Sequence, residues 1–292
     1  MLAVLHEKIE QASRLVKESP FDVWLVFVRE TGEGGDPILP YILEGSLVWL
    51  SALIFTKEGK RIAVVGNYDA DPLDASGNWH EIVRYHQDIK PSLLQTLESH
   101  CAANPRIGVN FSKSDEKCDG LTHGMYLLLE EYLKGTRFEG KLESAEQICM
   151  SLRGQKTPLE VARIRTAIDA GDEIFEAIGA FAKVGVTEKE VYDHVHDFIQ
   201  RKGLGYAWDP VNNPIVNSGP NSMIGHGIPS ETIKIEPGHV FTSFHFPEAR
   251  TNLLVGQSSD VNTSCPEYKV IAVDVRPMTE QPAFTPQLTG VA

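Results

Sequence analysis

The sequence predicts an α/β (α+β) fold in two domains, spanning residues 1–150 and 151–292. Three observations carry that prediction. In the first half, short apolar runs rich in valine and aromatics alternate with amphipathic stretches, the pattern of strands interleaved with helices. The polar break Gly154-Gln155-Lys156 is followed by two helix-start signatures, Thr157-Pro158-Leu159-Glu160 and Thr187-Glu188-Lys189-Glu190. Last, the segment 208–246 reads as two short strands around a turn-rich loop that carries one histidine, His226.

Taken in order, Leu2, Leu5, Ile9, Ala12 and Val16 recur at three- and four-residue steps, so residues 2–17 form a helix that Pro20 ends. Residues 21–28 are a buried strand. Residues 31–40, with Gly32, Gly34, Gly35, Pro37 and Pro40, are a loop. The apolar runs 47–56 and 61–66 flank Lys57-Glu58-Gly59-Lys60, a hairpin signature. Residues 69–78 are polar and contain Gly77 and Pro72, a second loop. Leu93, Leu94 and Leu97 mark a helix over 89–100, residues 106–111 a short strand, and Met125, Leu128, Leu129 and Tyr132 a helix over 121–133. No Gly-x-Gly-x-x-Gly follows a strand, which removes the ordinary dinucleotide-binding reading.

The second domain opens with two helices. In the first, Val161, Ile164, Ile168, Phe175 and Ile178 make the predicted buried stripe; in the second, Val191, Val195, Phe198 and Ile199 face inward. A turn centred on Gly185 joins them as an antiparallel pair, and Gly203 and Gly205 end the second. His194 and His196 lie two apart on that helix and point to different faces. They are expected to be solvated or capping histidines rather than ligands of one ion.

Composition narrows the function classes. The chain has 292 residues, 42% hydrophobic and 23% charged, enough for two cores. A formal net charge of −13 argues against nucleic acid or an anionic membrane as the main partner. The first residues carry scattered charges and no apolar stretch of the signal-peptide kind. Cys101, Cys118, Cys149 and Cys265 lack the spacing of a zinc site and read as reduced thiols of a cytoplasmic protein.

An ordered set of motifs then resembles the creatinase–prolidase–aminopeptidase P metallopeptidases. The pieces are 151–160 with the two capped helices, then Trp208-Asp209-Pro210-Val211, Asn217-Ser218-Gly219-Pro220-Asn221-Ser222, His226 with Pro229 close behind, and Glu236-Pro237-Gly238-His239-Val240. The resemblance runs from the start of the chain to about residue 242. It implies a creatinase-type N-terminal domain followed by a pita-bread catalytic domain, and hydrolysis of the peptide bond before proline. It also implies a proline-containing peptide as partner and subunit contacts of the homodimer kind. The family's cofactor would be two divalent ions, Mn, Co or Zn, held by two Asp, one His and two Glu, which bind a shared hydroxide. His226 falls at the family's substrate-binding loop histidine.

After residue 242 the pattern changes. The place of the first metal aspartate reads Phe241-Thr242-Ser243-Phe244-His245-Phe246, with neither Asp nor Gly. Asp260, in Ser258-Ser259-Asp260-Val261-Asn262-Thr263, is a partial likeness to the second metal aspartate and the one candidate metal residue. His245 and Asp274 are isolated, and Pro247, Pro266, Pro277, Pro282 and Pro286 interrupt any helical period. The pita-bread domain is therefore expected to be incomplete after about 242, by a frame slip or as a gene fragment, and the chain to be inactive for want of metal ligands. A non-catalytic dimerisation or binding module built on the N-terminal domain is the alternative.

Overall fold

Three consecutive strands whose residues are all buried set the architecture of the first half: β1 (Val23–Val28), β2 (Ser51–Thr56) and β3 (Arg61–Gly66). The computed structural model describes residues 2–223, 227–244 and 247–248 and divides into two units, 1–159 and 160–292. In chain order the first unit runs α1 (Leu2–Glu18), β1, α2 (Leu39–Ile42), β2, β3, α3 (Ala70–Ser76), β4 (Glu81–Tyr85), α4 (Lys90–His100), β5 (Ile107–Val109), α5 (His123–Leu133), β6 (Leu142–Ser144) and α6 (Glu146–Gly154). The strands form one mixed sheet in the order β4-β3-β2-β1-β5-β6. The pairs β1–β2 and β2–β3 are antiparallel, while β3–β4, β1–β5 and β5–β6 are parallel.

The central strands read as near-continuous apolar runs because both sheet faces are covered. Trp24, Val26, Val28, Leu53 and Phe55 pack with Leu5, Ile9, Ala12 and Val16 of α1 and with Ile148, Cys149 and Leu152 of α6. Val23, Leu25, Phe27, Ile54 and Ile62 face the other way, onto Leu93 and Leu97 of α4 and Met125, Leu129 and Leu133 of α5. Each such side chain contributes roughly 2 kcal/mol on burial. A fully buried lysine joins α1 to α6: the Lys8 ammonium donates to the carbonyls of Leu152 and Gln155, and the Gln11 amide donates to Gln155 O at 3.0 Å. These donors satisfy the last carbonyls of α6.

Several local expectations are corrected. Residues 69–78 hold α3 rather than a loop; Pro72 sits in its first turn, where the missing N–H costs nothing, and Gly77 closes it with φ 67°. The loop expected over 31–40 contains a single 3-10 turn and runs into α2, with Pro40 again in a first turn. The strand expected from residue 47 starts at Ser51, because the Asp69 carboxylate accepts from Val48 N and, at 2.8 Å, from Trp49 N. β4, β6 and α6 escaped prediction altogether: β4 and β6 are short edge strands and α6 is nine residues long. Cys101, Cys118 and Cys149 are free thiols, and Cys265 lies outside the described residues.

In the second unit, α7 (Pro158–Phe181) and α8 (Glu188–Lys202) share one apolar cluster with Val216, Ile235 and Phe241. The buried positions of α8 are Val191, Val195 and Ile199, as expected, with Phe198 partly covered. On α7 the buried set is Glu160, Gly171, Ile174 and Ile178, whereas Val161 and Ile168 are 37% and 46% exposed. Only the later turns of α7 enter the shared cluster, so the predicted stripe holds only at its C-terminal end. β7 (Gly205–Tyr206), β8 (Ile215–Ser218), β9 (Phe241–Phe244) and β10 (Pro247–Glu248) complete the described residues, with β8 antiparallel to β9 and β7 antiparallel to β10. Among the described residues, no helix is long and apolar enough to cross a membrane.

His194 and His196 are half-buried, each stacked on an aromatic ring, rather than free in solvent. His194 stacks on Phe181 at 4.2 Å between ring centroids. His196 donates from Nε2 to Asn213 O at 2.7 Å, which leaves Nδ1 to accept from the Tyr206 hydroxyl at 3.0 Å, and its ring stacks on Tyr192. Both are aromatic packing residues, because helix α8 lies between apolar neighbours on more than one side.

One buried acid gives the first unit a pH dependence. Asp36 is 4% exposed; it accepts from Ile38 N at 3.0 Å and from the Asn110 amide at 2.6 Å, and Asn110 in turn accepts from Trp24 Nε1. Gly120 lies against it, where any Cβ would stand 2.0 Å from the Asp36 carboxyl carbon. Burial pushes the Asp36 carboxyl up from 3.8 to about 6, against the lowering effect of those hydrogen bonds. The folded state therefore holds a proton that the unfolded state releases first. That stabilisation is full below pH 3.8 and is lost as pH rises through about 6, on the order of 3 kcal/mol in all. Urea denaturation on either side of this window is expected to show the loss in the wild type and a shallower pH dependence in Asp36→Asn.

Candidate functional site

The turn-rich segment after α8 is organised by one carboxylate. Thr187 caps α8 in a capping box: its hydroxyl accepts from Glu190 N at 3.1 Å, and Glu190 Oε2 accepts from Thr187 N at 2.7 Å. These bonds hold the Glu190 carboxyl below the usual carboxylate range. With the cap made by Thr187 and Glu190, Glu188 at the first helical position is free to turn inward. It is 2% exposed. Its Oε1 accepts from Ser218 N at 2.8 Å and from the Ser222 hydroxyl; its Oε2 accepts from Ser230 N at 2.9 Å. Backbone bonds run alongside, from Glu188 N to Ile233 O, Lys189 N to Ser230 O, and reciprocally between Gly185–Val186 and Ile235.

A histidine packs under the same turn. The His239 ring lies against Gly219, where a Cβ would come within 2.5 Å of it, and Gly219 adopts φ +72°. His239 Nδ1 is 3.4 Å from the Ser218 hydroxyl, and Nε2 is 3.6 Å from a Glu236 carboxylate oxygen. Ser218 is fully buried, so this Ser–His–Glu chain shapes the turn and presents no nucleophile to solvent. The strands below alternate in the usual way. Val216 and Phe241 join the core with the helices, while Asn217 opposes Thr242 on the other face. With its amide nitrogen turned toward them, Asn217 donates to the carbonyls of Val216 and Met223.

Of the residues singled out in the sequence, His226, His245, Asp260 and Asp274 lie outside the described residues. Glu188 and His239 were legible only as parts of a helix start and of the Glu-Pro-Gly-His-Val run. Sequence spacing gave no sign that 188 and 230, forty-two positions apart, share a hydrogen bond.

Residues 162–246 match the model of metallopeptidase family M24. Over those residues the chain is similar to that family. An uncharacterized peptidase of Staphylococcus aureus (strain bovine RF122 / ET3-1) is 23% identical over 184 residues, 62% of this chain and 46% of the relative. One of Staphylococcus haemolyticus is 30% identical over 95 residues, 32% of this chain and 26% of the relative. This chain thus spans less than half the length of these curated relatives. Among solved structures, a Xaa-Pro dipeptidase from Bacillus anthracis aligns with TM-score 0.56 at 21% identity, over 84% of this chain and 61% of that one. Dipeptidase PepE from Mycobacterium ulcerans aligns with TM-score 0.56 at 20% identity, over 83% and 60%. These two likenesses are likenesses of fold, the pita-bread fold of M24 peptidases.

M24 proteins are metallopeptidases, so the donor set of β8 and β9 can be tested against a metal pair. It does not fit. The Asn217–Thr242 pair offers a neutral amide and a neutral hydroxyl, and neither strand carries a carboxylate. Among the described residues, no group of three or more His, Cys, Asp or Glu is placed to hold an ion. Hard divalent ions in two-metal hydrolases are held chiefly by carboxylates.

The contact between His239 and Gly219 yields a direct test. Gly219→Ala places a methyl in the ring and strains a left-handed backbone position, so it is expected to lower stability by about 1–3 kcal/mol in denaturant titration.

Proposed function

We propose that this chain is a Xaa-Pro peptidase-like M24 protein that recognises proline-containing peptides through the segment following α8 and does not cleave them. The single observation carrying this reading is the register of β8 on β9, which pairs Asn217 with Thr242 on the face turned from the core. Peptide-bond hydrolysis by a metal pair needs an activated hydroxide and charge stabilisation of the oxyanion. Neutral oxygen donors hold such ions far more weakly than carboxylates. In this reading residues 1–150 are the creatinase-type domain, residues 151–292 carry the pita-bread elements, and His226 contributes to peptide binding. A net charge of −13 suits a partner other than nucleic acid or an anionic membrane, and the free thiols Cys101, Cys118 and Cys149 suit the cytoplasm.

Elemental analysis of the full chain purified with Mn, Co or Zn is expected to return well under one ion per chain, and Gly-Pro and Xaa-Pro-Xaa peptides to remain uncleaved. Close to two ions per chain together with cleavage before proline overturns this reading.

A second reading, subunit pairing through the first unit, is favoured by its surface. Tyr68 is 79% exposed and Val48 51% exposed, and Tyr68 packs edge-on against Trp49 at 5.8 Å. Aromatic residues are enriched at the cores of interfaces. Light scattering of the full chain is expected to give a dimer that Tyr68→Ser shifts toward monomer; a wild-type monomer removes this reading.

A further inference from the structure

We infer that Cys118 and Cys149 are a redox-modification site, a thiol pair that an oxidising small-molecule disulfide joins, fixing residues 112–119 to α6. Three side chains of α6 reach that loop. Glu146 accepts from the hydroxyls of Ser112 at 2.9 Å and Ser114 at 3.2 Å, and Arg153 Nη1 donates to Lys117 O at 3.4 Å. Cys149 lies between them in the helix, at the three- and four-residue steps that put all three on one face. Its thiol meets the Cys118 thiol in a side-chain hydrogen bond, and both residues are fully buried in the cluster around α1 and α6. Cys101 packs on the opposite face of the sheet.

The surroundings tolerate the loss of both S–H groups. The Cys149 thiol donates to Asn110 Oδ1 at 3.2 Å, and that oxygen also accepts from Trp24 Nε1 at 2.6 Å. The Cys118 thiol donates to Asp115 Oδ2 at 3.1 Å, and the same carboxylate accepts from Lys117 N at 2.8 Å. Oxidation therefore removes two donors and leaves each acceptor group another partner.

A thiol enclosed by apolar neighbours is a poor nucleophile, and burial pushes the Cys149 thiol up. Reaction therefore runs through opening of the loop. Cys118 reacts first, because its neighbours Glu116 and Asp119 are exposed, whereas Cys149 lies within α6. The Cys118 thiol gives its proton to solvent and attacks one sulfur of oxidised glutathione. One glutathione leaves as thiolate and takes up a proton. When the loop recloses, Cys149 loses its proton and attacks Cys118 Sγ. The bond to the second glutathione breaks, and that thiolate is protonated in turn. Two protein thiols become one disulfide, and the two electrons reduce one glutathione disulfide to two thiols.

The test keeps the full chain folded in oxidised glutathione, blocks the remaining thiols and maps the peptides without reductant. A peptide joining Cys118 to Cys149, released by dithiothreitol, is expected, with Cys101 and Cys265 outside it. The link restrains loop opening, so amide exchange at Asp115 and Lys117 is expected to slow about tenfold in the oxidised chain. Cys149→Ala is expected to trap Cys118 as its glutathione adduct and to abolish the slowing. Should that variant not fold, the wild-type peptide map and exchange decide by themselves. Thiols that both stay reduced overturn the proposal, as do separate glutathione adducts in the wild type. Pairing of either residue with Cys101 or Cys265 overturns it too, and so does a link that leaves loop exchange unchanged.

Discussion

The second unit depends on a carboxylate that is out of water and fully engaged. A buried charge without partners is costly, and Glu188 is tolerated because three donors converge on it at the N-terminus of α8, where backbone N–H groups favour negative charge. The same three bonds satisfy two backbone N–H groups, that of Ser218 at the end of β8 and that of Ser230 outside any strand, where unpaired groups are the usual difficulty. One side chain thus solves two problems, its own desolvation and that of the chain around it. The histidine beneath the turn and the glycine that admits it complete the arrangement: Gly219 has no Cβ, and the His239 ring occupies the space a Cβ would take.

The first unit follows the same rule with different groups. Its sheet is covered on both faces, so polar groups that enter must find partners. Lys8 is fully buried and satisfied by the end of α6. Asp36, Asn110 and Trp24 form a hydrogen-bonded chain within the apolar cluster around α1 and α6. The raised Asp36 carboxyl records what that enclosure costs the charged form. Strands β1, β2 and β3 are apolar on both sides except at strand ends, where Ser51, Thr56 and Arg61 are buried and Arg61 is paired with Asn78 O and Glu10.

Fold and chemistry part company at β8 and β9. The fold is that of M24 peptidases, yet the strand pair on which a metal centre would be built presents an amide and a hydroxyl. Fold alone never specifies activity; the site residues do. The polar contacts in this region hold a loop in place, and no carboxylate of β8 or β9 is offered to a cation.

Much of this was legible in the residues themselves. The apolar periods gave α1, α4, α5 and α8, and the buried valine-rich runs gave β1, β2 and β3. Thr187 and Glu190 announced the start of α8, since a capping box is a contact between positions three apart. The Trp208-to-Val240 motifs indicated the family. What failed were features whose stability is not local. α3 looked like a loop because proline in a first turn and proline in a break are the same letter. The N-terminal half of the α7 stripe stays exposed because packing, not period, decides which turns of a helix are covered. The site was the least legible: Glu188 reads as an ordinary acid in a first helical turn. The sequence by itself determined the helices α1, α4, α5 and α8, the strands β1, β2 and β3, and where the helix cap lies, through contacts a few residues apart. Only the tertiary structure decided that Glu188 turns inward to meet Ser218, Ser222 and Ser230, because a buried charge is defined by donors that the fold, not the spacing, brings to it.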